Sequence, residues 1–216
     1  MVIAEDGTPG AEFPLREDQV DIGRQHGTIQ LPSDPYASPR HARITRRQGQ
    51  LYIQDLNSIN GVYIRLRASH PLVHGDLLLM GLQVLSFEVV NSEEQGLGTA
   101  LQDGVNLLGS PAAPRYARLR QRTVEGVDRN IFFLCTNETV LGRESGDVVF
   151  TSDPFMSRSH ATIVRDPVDH KFILRDLGSS NGTFIAIREE TRLEHGDYVR
   201  VGQHLFRLDI HTSRRS

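Results

Sequence analysis

The sequence predicts an all-β protein made of two similar β-sandwich domains in tandem, joined by a linker. A series of residue clusters occurs twice in the same order, and the apolar runs between them are short and rich in β-branched or aromatic residues. No segment shows a long 3.6-residue period, as amphipathic helices would require. Short strands separated by Gly, Asn, Asp and Pro are typical of sandwiches, and 216 residues suffice for two domains of about 100 residues each.

The repeat is the most informative feature of the chain. At a shift of 119 residues, the first copy's Gly23, Asp34, Ser38 and His41 recur as Gly142, Asp153, Ser157 and His160. At a shift of 121 residues, Asp55, Asn60, His74 and Gly81 recur as Asp176, Asn181, His195 and Gly202. The second copy therefore has two additional residues, which we place in the turn-like stretch 166–170 because hairpin tips tolerate insertions.

The repeat also sets the predicted domain boundaries. We expect a first domain at 1–91, a linker at 92–114, a second domain at 115–212 and a tail at 213–216. Glycine, proline and glutamate residues mark the linker, although its leucines leave open that part of it packs on a domain.

Charge and composition exclude several classes of function. The formal net charge is -3, with 24 basic and 27 acidic residues, so there is no general attraction for nucleic acid or anionic lipid and any anion site must be local. No stretch approaches the roughly 20 apolar residues of a membrane span. The N-terminus has Glu5 and Asp6 where a signal peptide has basic residues. We expect a cytoplasmic protein that does not bind nucleic acid or insert into membranes.

The second copy carries three polar motifs next to turn signals. They are Gly142-Arg143, Ser157-Arg158-Ser159-His160 and Ser179-Ser180-Asn181-Gly182. This set resembles the signature of the forkhead-associated (FHA) domain family, whose Gly-Arg, Ser-Arg-x-His and Ser-x-Asn-Gly motifs have about these separations. The resemblance covers roughly residues 115 to 212. It implies an FHA/SMAD-like sandwich that binds phosphothreonine-containing protein segments.

The residue types in these motifs suit a phosphate monoester. Such a group has close to two negative charges and three acceptor oxygens, so it favours fixed guanidinium groups with short hydroxyl and amide donors. The resemblance implies phosphate contacts for Arg143, Ser157, Arg158 and Ser180, and a contact between Asn181 and the peptide backbone. It also implies a preference for phosphothreonine over phosphoserine.

Other repeated residues are predicted to be structural. They are the turn glycines and the motif histidines: Gly23, Gly61, Gly142, Gly182, His41 and His160. Asn-Gly is a strong hairpin signal, and the resemblance implies that the histidines support the loops. Each His-Gly-Asp triplet offers one histidine and one aspartate without a clustered partner, so we expect no metal ion and no cofactor.

The first copy departs from the signature at two positions. Pro39 stands where the second copy has Arg158, and Ile59 replaces Ser180. A degenerate first-domain site would retain Arg24, Ser38 and Asn60, with Arg40 as a neighbouring replacement. We expect this domain to bind phosphopeptides weakly or not at all.

The predicted function is a non-catalytic signalling adaptor that recognises substrates of a Ser/Thr kinase, chiefly through its second domain. A hydrolase that uses Ser157 or Ser159 with His160 is one rival, but the chain has no nucleophile elbow and no convincing third triad member. The alternative that remains open is a phosphate-independent scaffold or dimerisation module built from the same sandwiches.

Overall fold

A computed structural model of the protein describes residues 2–3 and 10–210. Its regular structure is almost entirely β-strand, which confirms the predicted fold class. The first nine strands are β1 (Val2–Ile3), β2 (Gln19–Gly23), β3 (Ile29–Gln30), β4 (Ala42–Arg47), β5 (Gln50–Asp55), β6 (Val62–Arg65), β7 (His70–Leu72), β8 (Asp76–Met80) and β9 (Gln83–Val89). Next come α1 (Ser92–Gln95), β10 (Leu101–Gln102), β11 (Val105–Asn106), β12 (Ala117–Arg122), β13 (Asp128–Leu134), β14 (Glu138–Gly142) and β15 (Val148–Val149). The last strands are β16 (Ala161–Arg165), β17 (Phe172–Asp176), β18 (Thr183–Ala186), β19 (Thr191–Leu193), β20 (Tyr198–Val201) and β21 (His204–Arg207).

The chain divides into two compact units that differ from the two predicted domains. Unit 1 contains the described residues up to Arg65 and those from Phe184 onward, and unit 2 contains Leu66–Thr183. Neither 1–91 nor 115–212 corresponds to one unit. Unit 2 is one continuous segment, and unit 1 is interrupted by it. The predicted tail at 213–216 lies outside the described residues.

Unit 1 has two sheets with apolar side chains between them. One has the order β19-β5-β4-β2-β3, with β2 and β3 parallel, and the other has the order β1-β21-β20-β6-β18. Burial alternates along β5, where Leu51 and Ile53 are buried between more exposed neighbours, as expected for a sheet with one face in a core. Both sheets contribute to the core, which includes Val20, Ile22, Ile53, Val62, Leu193 and Val201.

Unit 2 has a corresponding arrangement. One sheet has the order β15-β14-β16-β17-β7, with β14 and β15 parallel, and the other contains β8, β9, β12 and β13 as consecutive neighbours. Phe87 of β9 and Phe172 of β17 meet edge to face with their ring centroids 5.1 Å apart. Both side chains are buried, so this contact joins the two sheets.

The units differ from the predicted domains because the copies exchange equivalent strands. β7, from the first copy, pairs with β17 of the second copy, and β19, from the second copy, pairs with β5 of the first. These partner strands lie at equivalent places in the repeat, 121 residues apart. Local sequence therefore does not determine which copy of the neighbouring strand β7 or β19 joins.

The segment 92–114 belongs to unit 2, where it connects β9 to β12. It was predicted as the linker between domains, but the strand exchange places it inside one unit. The four-residue helix α1 begins after Asn91, whose side chain accepts a hydrogen bond from the Glu94 backbone nitrogen at 2.7 Å. The apolar side chains of the segment are exposed, namely Leu97, Leu101, Val105, Leu107 and Leu108.

In the part of the chain that the structure describes, no helix is long and apolar enough to cross a membrane.

The two additional residues of the second copy lie in a turn, as predicted. β16 ends at Arg165 and β17 begins at Phe172, whereas β4 ends at Arg47 and β5 begins at Gln50. The longer turn is stabilised by Asp166, whose side chain accepts a hydrogen bond from a backbone nitrogen two residues later at 2.7 Å.

We expect residues 66–183, expressed alone, to fold cooperatively, because this segment contains all the strands of unit 2. Circular dichroism and thermal denaturation of this chain should show β-structure and a sharp transition. The comparison chain is 115–212, which lacks β7, β8 and β9. A sharp transition for 115–212 together with an unfolded 66–183 would contradict the strand exchange.

We expect Phe87→Ala in the full chain to lower the free energy of unfolding of unit 2 by about 3–5 kcal/mol, because it leaves a cavity beside Phe172. Denaturant titration followed by circular dichroism measures this change. Val124→Ala, at a side chain that is 85% exposed, is the control and should change stability by less than about 0.5 kcal/mol. Equal effects of the two substitutions would show that Phe87 does not join the sheets.

Candidate functional site

The three polar motifs of the second copy lie at one end of a sheet in unit 2. The first begins at the last residue of β14, the second precedes β16 and the third follows β17. Because β16 pairs antiparallel with both β14 and β17, the end of β14, the start of β16 and the end of β17 are at the same edge. The strand order thus brings together three loops that are far apart in sequence.

Gly142 allows the first two loops to lie directly against each other. The backbone nitrogen of Arg143 donates to the carbonyl oxygen of Ser157 at 2.9 Å, and that of Glu144 donates to the carbonyl oxygen of Arg158 at 3.3 Å. A Cβ atom on Gly142 would overlap the same Arg158 carbonyl oxygen. Glycine at this position is therefore required by the close approach of the two backbones.

The buried ring of His160 ties the second loop to the third. Its Nδ1 accepts a hydrogen bond from the Ser157 backbone nitrogen at 3.1 Å, and its Nε2 lies 3.2 Å from the carbonyl oxygen of Gly182. Since Nδ1 accepts, Nε2 carries the proton and donates to that carbonyl. Both ring nitrogens are thus engaged with backbone, and the Ser157 Oγ accepts instead from the Ser180 backbone nitrogen at 3.1 Å. This arrangement does not support a Ser-His hydrolase. His41 makes the same two backbone contacts in unit 1.

Asp176 organises the loop that carries the third motif. Its carboxylate accepts hydrogen bonds from the backbone nitrogen and hydroxyl of Ser179 at 2.8 and 2.6 Å, from the Gly178 backbone nitrogen at 2.8 Å and from the Thr183 hydroxyl at 2.6 Å. Burial by itself raises the pKa of Asp176, but the hydrogen bonds from Ser179 and Thr183 outweigh it and hold the pKa below its ordinary value.

Asn181-Gly182 forms a turn but not the predicted hairpin. β17 pairs with β16 and β7, whereas β18 pairs with β6, so the turn joins strands that have different partners. Gly182 has a φ of 82°, which favours glycine, and its nitrogen donates to the Ser179 hydroxyl at 3.0 Å. The sequence identified the conformation of the glycine but not the strands that it connects.

Two of the predicted phosphate ligands, Arg143 and Arg158, meet at one carboxylate. The Arg143 Nη2 lies 2.8 Å from the Glu144 Oε1, and the Arg158 Nε lies 3.2 Å from the Glu144 Oε2. The side chains of Arg143, Arg158 and Glu144 are 33%, 79% and 50% exposed, so solvent reaches this cluster. The structure therefore places two guanidinium groups where one anion can contact both.

The other three predicted ligands, Ser157, Ser180 and Asn181, lie in the loops of the second and third motifs. Because the Ser157 Oγ accepts from the Ser180 nitrogen, its hydroxyl proton is left for another acceptor. Ser180 itself is exposed. The Asn181 Nδ2 donates to the carbonyl oxygen of Phe155 at 2.8 Å, so this side chain fixes the preceding loop as well as facing solvent.

Asp153 anchors the loop 152–156 and was not recognised as a site residue from the sequence. Its buried carboxylate accepts from the Leu82 backbone nitrogen and the Gln83 Nε2, both at 2.7 Å, and from the Phe155 backbone nitrogen at 3.0 Å. The available signal was its recurrence at a constant spacing from Asp34. Asp176 had the same signal, whereas Glu144 had none.

Unit 1 has the same loop framework with different ligand groups. The Ser38 Oγ accepts from the Ile59 backbone nitrogen at 3.0 Å, and the Asn60 Nδ2 donates to the Tyr36 carbonyl oxygen at 2.9 Å. The backbone nitrogen of Arg24 donates to the Ser38 carbonyl oxygen at 2.9 Å. Ile59 is 77% exposed and presents an apolar side chain where the other unit has a hydroxyl.

Arg40, predicted as a neighbouring replacement for Arg158, contacts a carboxylate on β2. Its Nη2 lies 3.4 Å from the Asp21 Oδ2, and the Arg43 Nε lies 2.7 Å from the Asp21 Oδ1. The hydrogen bond from Arg43 is the largest cause of the lowered pKa of Asp21, and Arg40 adds to it. Arg40 therefore has an anionic partner of its own.

The family model for the FHA domain matches residues 20–81 and 139–202, more than half of the chain. The chain belongs to the FHA-domain family. Both matches cover the polar motifs of their copy, and each match includes residues of both compact units. FHA domains are binding domains, and the match adds no enzymatic family.

The curated relatives share one such domain with this chain. FHA domain-containing protein FhaB of Mycobacterium tuberculosis is 41% identical over 64 residues, which are 30% of this chain and 41% of that protein. FhaB of Mycolicibacterium smegmatis is 38% identical over the same shares. The chain thus spans less than half the length of these relatives. A solved structure, Mycobacterium tuberculosis EmbR in complex with low affinity phosphopeptide, has 25% identity and a TM-score of 0.23, covering 44% of this chain and 28% of EmbR.

Among residues 2–3 and 10–210, no three histidine, cysteine or acidic side chains are grouped closely enough to hold a metal ion.

We expect the stabilising effect of Asp176 to depend on pH. Its pKa is lowered in the folded protein, so its contribution is present above the unfolded-state value of 3.8 and is lost as the pH falls through the lower folded-state value. Thermal unfolding of the FHA protein should show Asp176→Asn destabilised at pH 7, with the difference from wild type shrinking below about pH 4. A difference that stays constant with pH would contradict the role assigned to the ionised carboxylate.

Proposed function

We propose that this FHA protein is a non-catalytic adaptor that binds phosphothreonine-containing protein segments through the site of unit 2. The observation that carries the proposal is the convergence of Arg143 and Arg158 on the single carboxylate of Glu144. Two guanidinium groups that share one anion in the free protein are placed to share the phosphate of a ligand.

The donors present offer several strong contacts to a phosphate. Each charge-assisted hydrogen bond contributes about 1.5–3 kcal/mol, so four such bonds, from the two guanidinium groups and the hydroxyls of Ser157 and Ser180, contribute about 6–12 kcal/mol before the cost of association. Micromolar binding corresponds to about 8 kcal/mol. Asn181 is the residue that we assign to the peptide backbone, beside the loop 152–156 that it already holds.

Unit 1 is proposed to bind such segments weakly or not at all. Of the matched cationic positions it keeps Arg24, because proline replaces the second arginine and Arg40 contacts Asp21. The apolar Ile59 removes a hydroxyl donor. At about 1.5–3 kcal/mol per charge-assisted hydrogen bond, the loss of two polar contacts makes the binding free energy less favourable by several kcal/mol.

The proposed partners are proteins phosphorylated on threonine by a Ser/Thr kinase. A cytoplasmic location, where such kinases and their substrates meet, is part of this proposal. Phosphate-independent scaffolding remains the competing function. Dephosphorylation of the partner would abolish phosphothreonine binding and leave scaffolding unchanged.

We expect Arg143→Ala in the full chain to weaken binding of phosphothreonine peptides by about 10- to 100-fold, because it removes a charge-assisted contact to the phosphate. Isothermal titration calorimetry, with the best binder from a degenerate phosphothreonine library, measures the change. Arg24→Ala, at the matched position of unit 1, is the control and should leave this affinity within about twofold.

The same peptide without phosphate tests the competing function. Binding that is equally strong for phosphorylated and unphosphorylated peptide, and indifferent to Arg143→Ala, would favour the phosphate-independent scaffold.

A further inference from the structure

Glu144 bridges the two arginines proposed to bind phosphate. Its Oε1 contacts the Arg143 side chain at 2.8 and 3.2 Å, and its Oε2 contacts the Arg158 Nε at 3.2 Å. Each oxygen thus faces a different guanidinium. A phosphate monoester offers acceptor oxygens of the same kind to the same donors.

The carboxylate and a phosphate cannot both occupy the space between the two guanidinium groups. A phosphate that took these contacts would either displace Glu144 or lie next to its negative charge. Either outcome lowers the affinity, since the first breaks existing ion pairs and the second places like charges together. The carboxylate competes without an association cost because it belongs to the adjacent residue of the chain.

The matched position in unit 1 carries a neutral side chain. Gln25 occupies it, and its backbone nitrogen donates to the Pro39 carbonyl oxygen at 3.3 Å, the same distance as the Glu144 nitrogen to the Arg158 carbonyl oxygen. The two residues therefore have the same backbone contact. They differ in the side chain, which is an acid in unit 2, where both matched motif positions are arginine, and a neutral amide in unit 1, where only Arg24 is kept.

We propose that Glu144 is an internal competitor that sets the ligand requirement of this site, an inference that rests on the proposed function. Its carboxylate occupies the phosphate position in the free protein and yields to a dianionic phosphate ester. An aspartate or glutamate of a peptide offers only the single charge that Glu144 already provides. A peptide that carries aspartate or glutamate in place of phosphothreonine therefore does not bind measurably to the wild-type protein.

The direct test is Glu144→Gln in the full chain, which keeps the side-chain shape and copies Gln25. We expect it to bind the phosphothreonine peptide about 3- to 10-fold more tightly than wild type at moderate salt, as removal of one nearby like charge predicts. Glu93→Gln, at an exposed acid of α1, makes the same change in net charge and should leave the affinity unchanged.

Two further ligands test whether Glu144→Gln acts at the phosphate position. Inorganic phosphate should also bind more tightly to Glu144→Gln, because the competition is at the phosphate position. The peptide with glutamate in place of phosphothreonine should show measurable binding to Glu144→Gln and none to wild type. A gain confined to the phosphopeptide, without either effect, would overturn the inference.

The outcomes separate this inference from the proposed function. If wild type prefers phosphorylated peptide and Glu144→Gln binds it equally or more weakly, the competitor role is wrong and the proposed function stands. If neither protein distinguishes phosphorylated from unphosphorylated peptide, the proposed function fails and the competitor role fails with it.

Discussion

The antiparallel pairing of β16 with β14 and β17 is the constraint on which the candidate site depends. It places the ends of β14 and β17 and the start of β16 at a single edge, so three separate sequence motifs become adjacent. The finer arrangement comes from buried polar groups that hold backbone rather than ligand. His160 joins two loops, Asp176 closes the third, and Asp153 fixes the loop beside them. These groups are satisfied within the protein, so the arginines and hydroxyls of the same loops are the groups left for an external anion.

The sequence predicted the fold class and the motif positions because both depend on local patterns. The short β-branched and aromatic runs, the glycine at position 182 and the turn at 166–170 are each determined by a few neighbouring residues. The strand exchange was beyond such reasoning. β7 and β19 have equivalent sequence contexts, so the choice of partner depends on the packing of the whole chain, including the contact of Phe87 with Phe172.

Within the site, too, local sequence identified the motif residues but not the contacts that depend on the fold. The motifs indicated which side chains lie near the phosphate position, but nothing in the sequence distinguishes Glu144, because an acid beside an arginine is common on protein surfaces. Its role depends on Arg158, fifteen residues from Arg143 in sequence, which contacts the other oxygen of its carboxylate. Arg40 is the reverse case, since an arginine near the motif turned out to have Asp21 as its partner.

The interruption of unit 1 by unit 2 has a consequence for shortened forms of the protein. A premature stop codon shortly after Phe184 would leave every strand of unit 2 and all five proposed ligands of its phosphate site in the product. The same product would lack β19, β20 and β21, which pair with strands of the first copy. Loss of the carboxyl-terminal end of the chain would therefore damage the amino-terminal motif, while the motif nearer to the stop codon would keep its scaffold.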